Sequence, residues 1–269
     1  MRIPEKWRRD PALWVEAFAL ANFAFLILDI YVAHSVNAFR RSAEYIPLYF
    51  SIAATFLLSV AIWARERWGT MWKLLGIAVG WGSVAVGLAG VVFHLDSRFF
   101  HERTLKSLTY AAPFAAPLAY TGLGLLLIMN RMVDARSKEW SRWVLLLALG
   151  GFAGNFVLSL TDHAVNGFFR AAEWIPVASA AYAVGFLITP FLTKVTRAYL
   201  KLCGYALVAQ VAVGVTGFAI HAAANVYGPS AKLLQNFIDG APPFAPLLFA
   251  NLAALAGMAL WVMSEEATE

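Results

Sequence analysis

A chain of 269 residues that is 61% hydrophobic and only 14% charged, with a mean hydropathy of +0.66, lies far from the ~25% charged residues of a soluble domain. That composition excludes an ordinary soluble enzyme, and the net charge of +5 arises from basic residues in short segments between apolar runs, which is a membrane pattern and not a nucleic-acid face. The single cysteine, Cys203, excludes an internal disulfide, a thiolate metal cluster and a CxxCH haem attachment.

The first segment, Met1 to Pro11, is basic, and the apolar run after it is too long for a signal peptide and has no small-residue cleavage site. It reads as a retained first span. Crossing a bilayer takes ~20 residues of helix. Eight stretches qualify, near 12–34, 47–64, 74–95, 110–130, 143–163, 174–192, 202–222 and 243–263. The predicted fold is therefore an all-α integral membrane protein of eight transmembrane helices. Fourteen of the Lys and Arg residues fall at the N-terminus and in the second, fourth and sixth loops, Arg131 among them, against seven in the odd loops. By the positive-inside rule both termini face the cytoplasm of a multi-pass inner (cytoplasmic) membrane protein.

The first and third loops carry a duplication. His34-Ser-Val-Asn37-Ala-Phe-Arg-Arg41-Ser-Ala-Glu44-Tyr-Ile-Pro47 returns 129 residues later as His163-Ala-Val-Asn166-Gly-Phe-Phe-Arg170-Ala-Ala-Glu173-Trp-Ile-Pro176, with nine of fourteen positions identical. Val86-Gly87-x-x-Gly90-x-x-x-His94 matches Val213-Gly214-x-x-Gly217-x-x-x-His221 at an offset of 127, and Pro113-Phe-Ala matches Pro243-Phe-Ala at 130. The expectation is two tandem four-helix bundles, residues 1–136 and 137–269. An even number of spans in each makes them parallel repeats about an axis along the membrane normal.

Four of the five histidines are repeat-paired, His34 with His163 and His94 with His221, each at the outer end of an odd-numbered span. Ionisable groups at membrane depth are costly and usually functional, and imidazole's main chemistry there is metal ligation, haem iron included. His101 has no partner and reads as a surface loop residue. Gly87 and Gly90, like Gly214 and Gly217, precede their histidine by seven and four residues and share its helix face. They form either a bare strip for a flat macrocycle or a close helix-packing surface. Arg41 and Arg170 are candidate clamps for haem propionates. Asn37 and Asn166 either orient an imidazole or end the helix. Glu44 and Glu173 are candidate proton acceptors for a quinol or other substrate, partners to a ligating His, or direct metal ligands.

Pairing within each repeat, His34 with His94 and His163 with His221, gives two b-type haems of bis-imidazole ligation at one depth near the outer face. That suits electron transfer, or oxidation of a quinol or other substrate, with an outer-side redox partner. The layout of two fused four-helix bundles with a His pair in each resembles that of the haem A synthases. Those enzymes carry an acidic residue shortly before a histidine and place ligands on even-numbered helices; here Glu44 follows His34 by ten residues and the histidines end odd-numbered helices. A second reading is an intramembrane non-haem iron, copper or zinc oxidoreductase with two His and one Glu per unit. A third is a parallel-repeat transporter, which lacks a midspan charge or paired helix break; Asp29 and Asp162 lie near outer ends and do not align with each other.

Overall fold

A computed structural model describes residues 10–67, 69–135 and 137–266, and among these all regular structure is helical. Helix α1 spans Pro11–Ser35, α2 Tyr45–Ala64 and α3 Gly69–Asp96; two short helices follow, α4 Phe99–Glu102 and α5 Leu105–Thr109, before α6 Leu118–Met132. The second half contains α7 Lys138–Val165, α8 Trp174–Leu192, α9 Arg197–Val226, the short α10 Leu233–Asp239, and α11 Leu247–Glu266. Single-turn 3-10 segments, Ser42–Glu44 and Ala171–Glu173, lead into α2 and α8.

Side chains at the helix starts explain where these elements begin. Asp10 accepts from the Leu13 amide at 3.1 Å, with Pro11 at the first helical position. Ser137 and Thr196 cap α7 and α9 in the same way. Seven helices among the described residues are long and apolar enough to cross a membrane. Their exposed faces are apolar as well: Phe56, Trp81 and Tyr205 each leave 60% or more of their surface uncovered. Apolar outer faces on long apolar helices suit a lipid bilayer.

The fourth span departs from expectation. In place of 110–130 the helix is Leu118–Met132, fifteen residues long. Pro113 and Pro117 lack the amide a helix needs, so the chain turns from Tyr110 to Pro117 and the helix starts just after the second proline. The last span shortens for the same reason and begins at Leu247, after Pro246. The connections from α3 to α6 and from α9 to α11 carry the short helices α4, α5 and α10.

Helix packing follows one order in both halves. In the first, α1 packs on α2, α2 on α3, α3 on α6, and α6 returns to α1; in the second, α7 packs on α8, α8 on α9, α9 on α11, and α11 returns to α7. Between halves α6 meets α7 and α11 meets α1, while α5 touches α7 and α10 touches α1. Each contact has its counterpart when the halves are exchanged.

The glycines account for the closest crossings. A Cβ on Gly87 would lie 2.6 Å from the Thr121 amide nitrogen, and one on Gly90 2.7 Å from Pro117 Cβ. On Gly214 it would lie 2.9 Å from the Pro246 carbonyl oxygen, and on Gly217 2.8 Å from Pro246 Cβ. The strip imagined as a bed for a macrocycle is thus filled by the following long helix, α6 or α11. Of the two readings of these glycines, the packing one describes the structure.

One polar cluster lies at the other end of the bundle. Arg131, expected in a loop, occupies the last turn of α6 and turns inward, where its guanidinium pairs with both carboxylate oxygens of Glu16 on α1. Asn130 donates to Glu16 Oε1 at 2.8 Å and to the Ala12 carbonyl, and accepts from Trp140 Nε1 at 2.9 Å. The Arg131 guanidinium also covers the Trp72 ring at 3.8 Å. Both side chains of the ion pair are fully buried.

Candidate cofactor site

The duplicated motif begins where α1 and α7 end, and the chain leaves both helices in the same way. Ala38 and Phe39 adopt left-handed backbone angles (φ 52° and 50°), and Gly167 and Phe168 repeat them (φ 71° and 52°). The Phe39 amide donates back to the His34 carbonyl at 3.3 Å, and that of Phe168 to the His163 carbonyl at 3.2 Å. This closes the orphan carbonyls of the last helical turn. Asn37 and Asn166 belong to that turn, with amides donating to the same histidine carbonyls at 3.1 and 3.2 Å. Their side chains are exposed, so they end helices and do not steady imidazoles.

The left-handed phenylalanines fold over the histidines. The Phe39 ring centre lies 5.9 Å from His34 and stacks on Tyr45 at 4.7 Å; that of Phe168 lies 6.1 Å from His163 and stacks on Trp174 at 4.0 Å. A non-glycine residue held left-handed costs ~1–3 kcal/mol, and such strain concentrates at functional positions. These aromatic covers were not singled out from the sequence. The repeated Phe and the aromatic six residues on were visible there, but they read as ordinary apolar residues.

The structure brings His34 and His94 together, with ring centres 6.2 Å apart and ring planes at 71°. That proximity would let both imidazoles serve one metal. In the second half His163 is within electrostatic range of both His221 and Glu173. Glu44 likewise acts on both His34 and His94.

Both third-helix histidines are oriented identically. His94 Nδ1 lies 2.9 Å from the Pro113 carbonyl oxygen, and His221 Nδ1 lies 2.8 Å from that of Pro242. A carbonyl can only accept, so Nδ1 carries the proton and Nε2 keeps its lone pair. A metal-binding histidine is usually held this way, through a hydrogen bond from its other nitrogen. The accepting prolines match at an offset of 129, Ala112-Pro113 with Ala241-Pro242, and so do Pro117 and Pro246, so the structure replaces the expected 130-residue match of Pro113 with Pro243 and no residue is inserted between these prolines.

Glu44 and Glu173 stand at the starts of α2 and α8, and in each the Oε2 atom is buried without a hydrogen-bond partner. Glu173 Oε2 lies 4.0 Å from His163 Nδ1. Among the described residues, no three His, Cys, Asp or Glu side chains gather closely enough to hold a bare metal ion. Arg41 and Arg170 are exposed, and neither has an ion-pair partner among the described residues. His101, on α4, is exposed and apart from this group. No family model, curated protein or solved structure matches the chain.

Proposed function

We propose that the protein is a dihaem b-type cytochrome of the cytoplasmic membrane, built of two parallel four-helix repeats with both termini on the cytoplasmic side. His34 and His94 hold one haem and His163 and His221 the other, both near the outer face. The observation that carries this reading is the repeated hydrogen bond from a third-helix histidine to a proline carbonyl, which leaves Nε2 free in both halves. The His34 and His94 rings lie 6.2 Å apart, so both imidazoles could serve one metal.

In this reading each residue has a distinct task. The Pro113 and Pro242 carbonyls fix tautomer and ring direction, and Phe39 and Phe168 shield the first histidine of each pair. The guanidiniums of Arg41 and Arg170, without an ion-pair partner among the described residues, lie in the loop after each first histidine, where propionates directed outward would need a cation. The Glu44 and Glu173 carboxylates, each with a buried free oxygen, could accept the hydroxyl proton of a quinol or similar donor. A bound haem would supply one-electron chemistry, and two His pairs at one depth near the outer face would suit lateral electron passage to an outer redox partner.

The test is an absorption spectrum of the detergent-purified protein with quantification of extracted haem. Two b-type haems per chain are expected, low-spin when reduced. His94→Ala and His221→Ala are each expected to remove about half of the absorbance, because a bis-histidine site needs both ligands. A colourless protein, or one holding iron, copper or zinc without a porphyrin, overturns the proposal.

A further inference from the structure

The two halves differ along the seam between their first two long helices. In the second half the α7–α8 seam holds two hollows. One, of about 430 Å³, lies at the end of the bundle away from the histidines, lined by Lys138, Arg142, Trp143 and Leu146 of α7 and Phe191 of α8. The other, of about 330 Å³, lies nearer mid-span, between Ala153 and Val157 of α7 and Ala181 and Val184 of α8. Gly150 stands on α7 between them, and a Cβ on Gly150, Gly154 or Gly185 would meet no atom within 4 Å. Leu146, Gly150, Ala153 and Val157 recur at helical spacing on one face, so the hollows form one furrow. At the α-helical rise it runs about 22 Å from Arg142 to Val157, enough to follow an acyl chain through the ~15 Å hydrocarbon depth of one leaflet.

The first half carries bulk along the same seam. At an offset of 129 residues Gly154, Val157, Ala181 and Gly185 correspond to Phe25, Leu28, Ile52 and Phe56, all with exposed side chains, and Arg142 corresponds to the buried Leu13. Small residues by themselves also mark helix packing. The charges choose the occupant. Lys138 and Arg142 have no ion-pair partner among the described residues, and the Arg142 guanidinium lies 5.7 Å from the Phe191 ring centre at the mouth of the furrow. Glu139, the carboxylate lining the same hollow, accepts from Trp143 Nε1 at 3.2 Å. Two cations against one carboxylate leave a net charge of +1 at the head of an apolar trough. A free anion would need no trough, and a second copy of this face would set these cations against each other.

We propose that the α7–α8 seam binds one anionic phospholipid, its phosphate on Arg142 and Lys138 and one acyl chain in the furrow. A guanidinium grips a phosphate bidentately, the ammonium adds a point charge, and an indole such as that of Trp143 is favoured at headgroup depth. The net charge of +1 selects a lipid of charge −1 over a zwitterionic one. Bound there, the lipid covers the open glycines of both helices and ties α7 to α8. The site lies apart from the histidines and does not depend on any cofactor there.

The experiment is native mass spectrometry of the detergent-purified protein with equal amounts of phosphatidylglycerol and phosphatidylethanolamine, paired with thermal unfolding. One phosphatidylglycerol per chain is expected to be retained in preference, raising the unfolding midpoint. Arg142→Gln and Lys138→Gln are each expected to weaken that retention about fivefold. Gly154→Phe copies Phe25 and is expected to abolish retention with the cations intact. Should it fail to fold, Ala181→Ile, which copies Ile52, makes the same test. Lys232→Gln, at an exposed cation of another loop, is expected to change nothing. Equal retention of the two lipids, undiminished retention in Arg142→Gln, or undiminished retention in the furrow-filling variant each overturn the proposal. A dimer that persists without lipid and is broken by Gly154→Phe gives the furrow to a second copy of the chain and overturns it too.

Discussion

At the end of the bundle where α1 and α7 finish, Phe39 and Phe168 take the same left-handed conformation, lie against the corresponding histidine and stack on the same aromatic position of the next helix. At the opposite end the halves share nothing comparable. The counterpart of Glu16, 129 residues on, is Leu145, and those of Asn130 and Arg131, at the same offset, are Ala259 and Leu260. One junction between the halves, α6 with α7, is flanked by a buried ion pair and its amide and indole partners; the related junction, α11 with α1, carries an Asn22–Asn251 contact. A duplicated chain that keeps polar detail at one end and replaces it at the other is constrained by chemistry where it is kept and by packing where it is replaced.

The largest effect should come from breaking the asymmetric end. Glu16→Gln leaves the buried Arg131 guanidinium without its counter-charge, which typically costs ~3–5 kcal/mol. Thermal unfolding in detergent should show a large drop in midpoint. The double variant Glu16→Leu with Arg131→Leu copies the apolar character of the second half and should recover most of the loss. If the double variant is as unstable as the single one, the ion pair does more than compensate its own desolvation.

A smaller effect should separate the two glycine crossings. Gly87→Ala puts a Cβ 2.6 Å from the Thr121 backbone nitrogen, which must move, at a cost of about 1–3 kcal/mol by the usual penalty for overpacking. Gly214→Ala meets the Pro246 oxygen at 2.9 Å and the Ala250 nitrogen at 3.0 Å and should cost less. Gly154→Ala and Gly185→Ala, with no atom within 4 Å of the new Cβ, serve as neutral controls. Equal losses at Gly87 and Gly214 would show that the α3–α6 and α9–α11 crossings yield alike.

The smallest effect concerns the shared turn. Ala38 occupies at φ 52° the position that Gly167 occupies at φ 71°. Ala38→Gly should raise stability and Gly167→Ala lower it, each by about 1 kcal/mol, since only glycine is free of the left-handed penalty. No atom lies within 4 Å of a Cβ on Gly167, so backbone conformation alone sets the sign. A matching pair of small, opposite shifts in unfolding midpoint is the expected result.

Much of the molecule is legible as a string. Apolar runs bounded by basic residues define the long helices, because a chain that cannot expose its backbone to lipid has to satisfy those groups within helices. The offset of 129 names His34 with His163 and Glu44 with Glu173, since duplication leaves a record that needs no coordinates. Three things required the tertiary structure. Whether Gly87 and Gly214 face a ligand or a helix depends on what packs against them, and one periodicity serves either purpose. The orientation of His94 and His221 comes from carbonyls of Pro113 and Pro242, backbone groups that every residue possesses and no side-chain pattern marks. The Glu16–Arg131 pair joins residues 115 positions apart, and Arg131 reads as a loop residue until the fold closes around it.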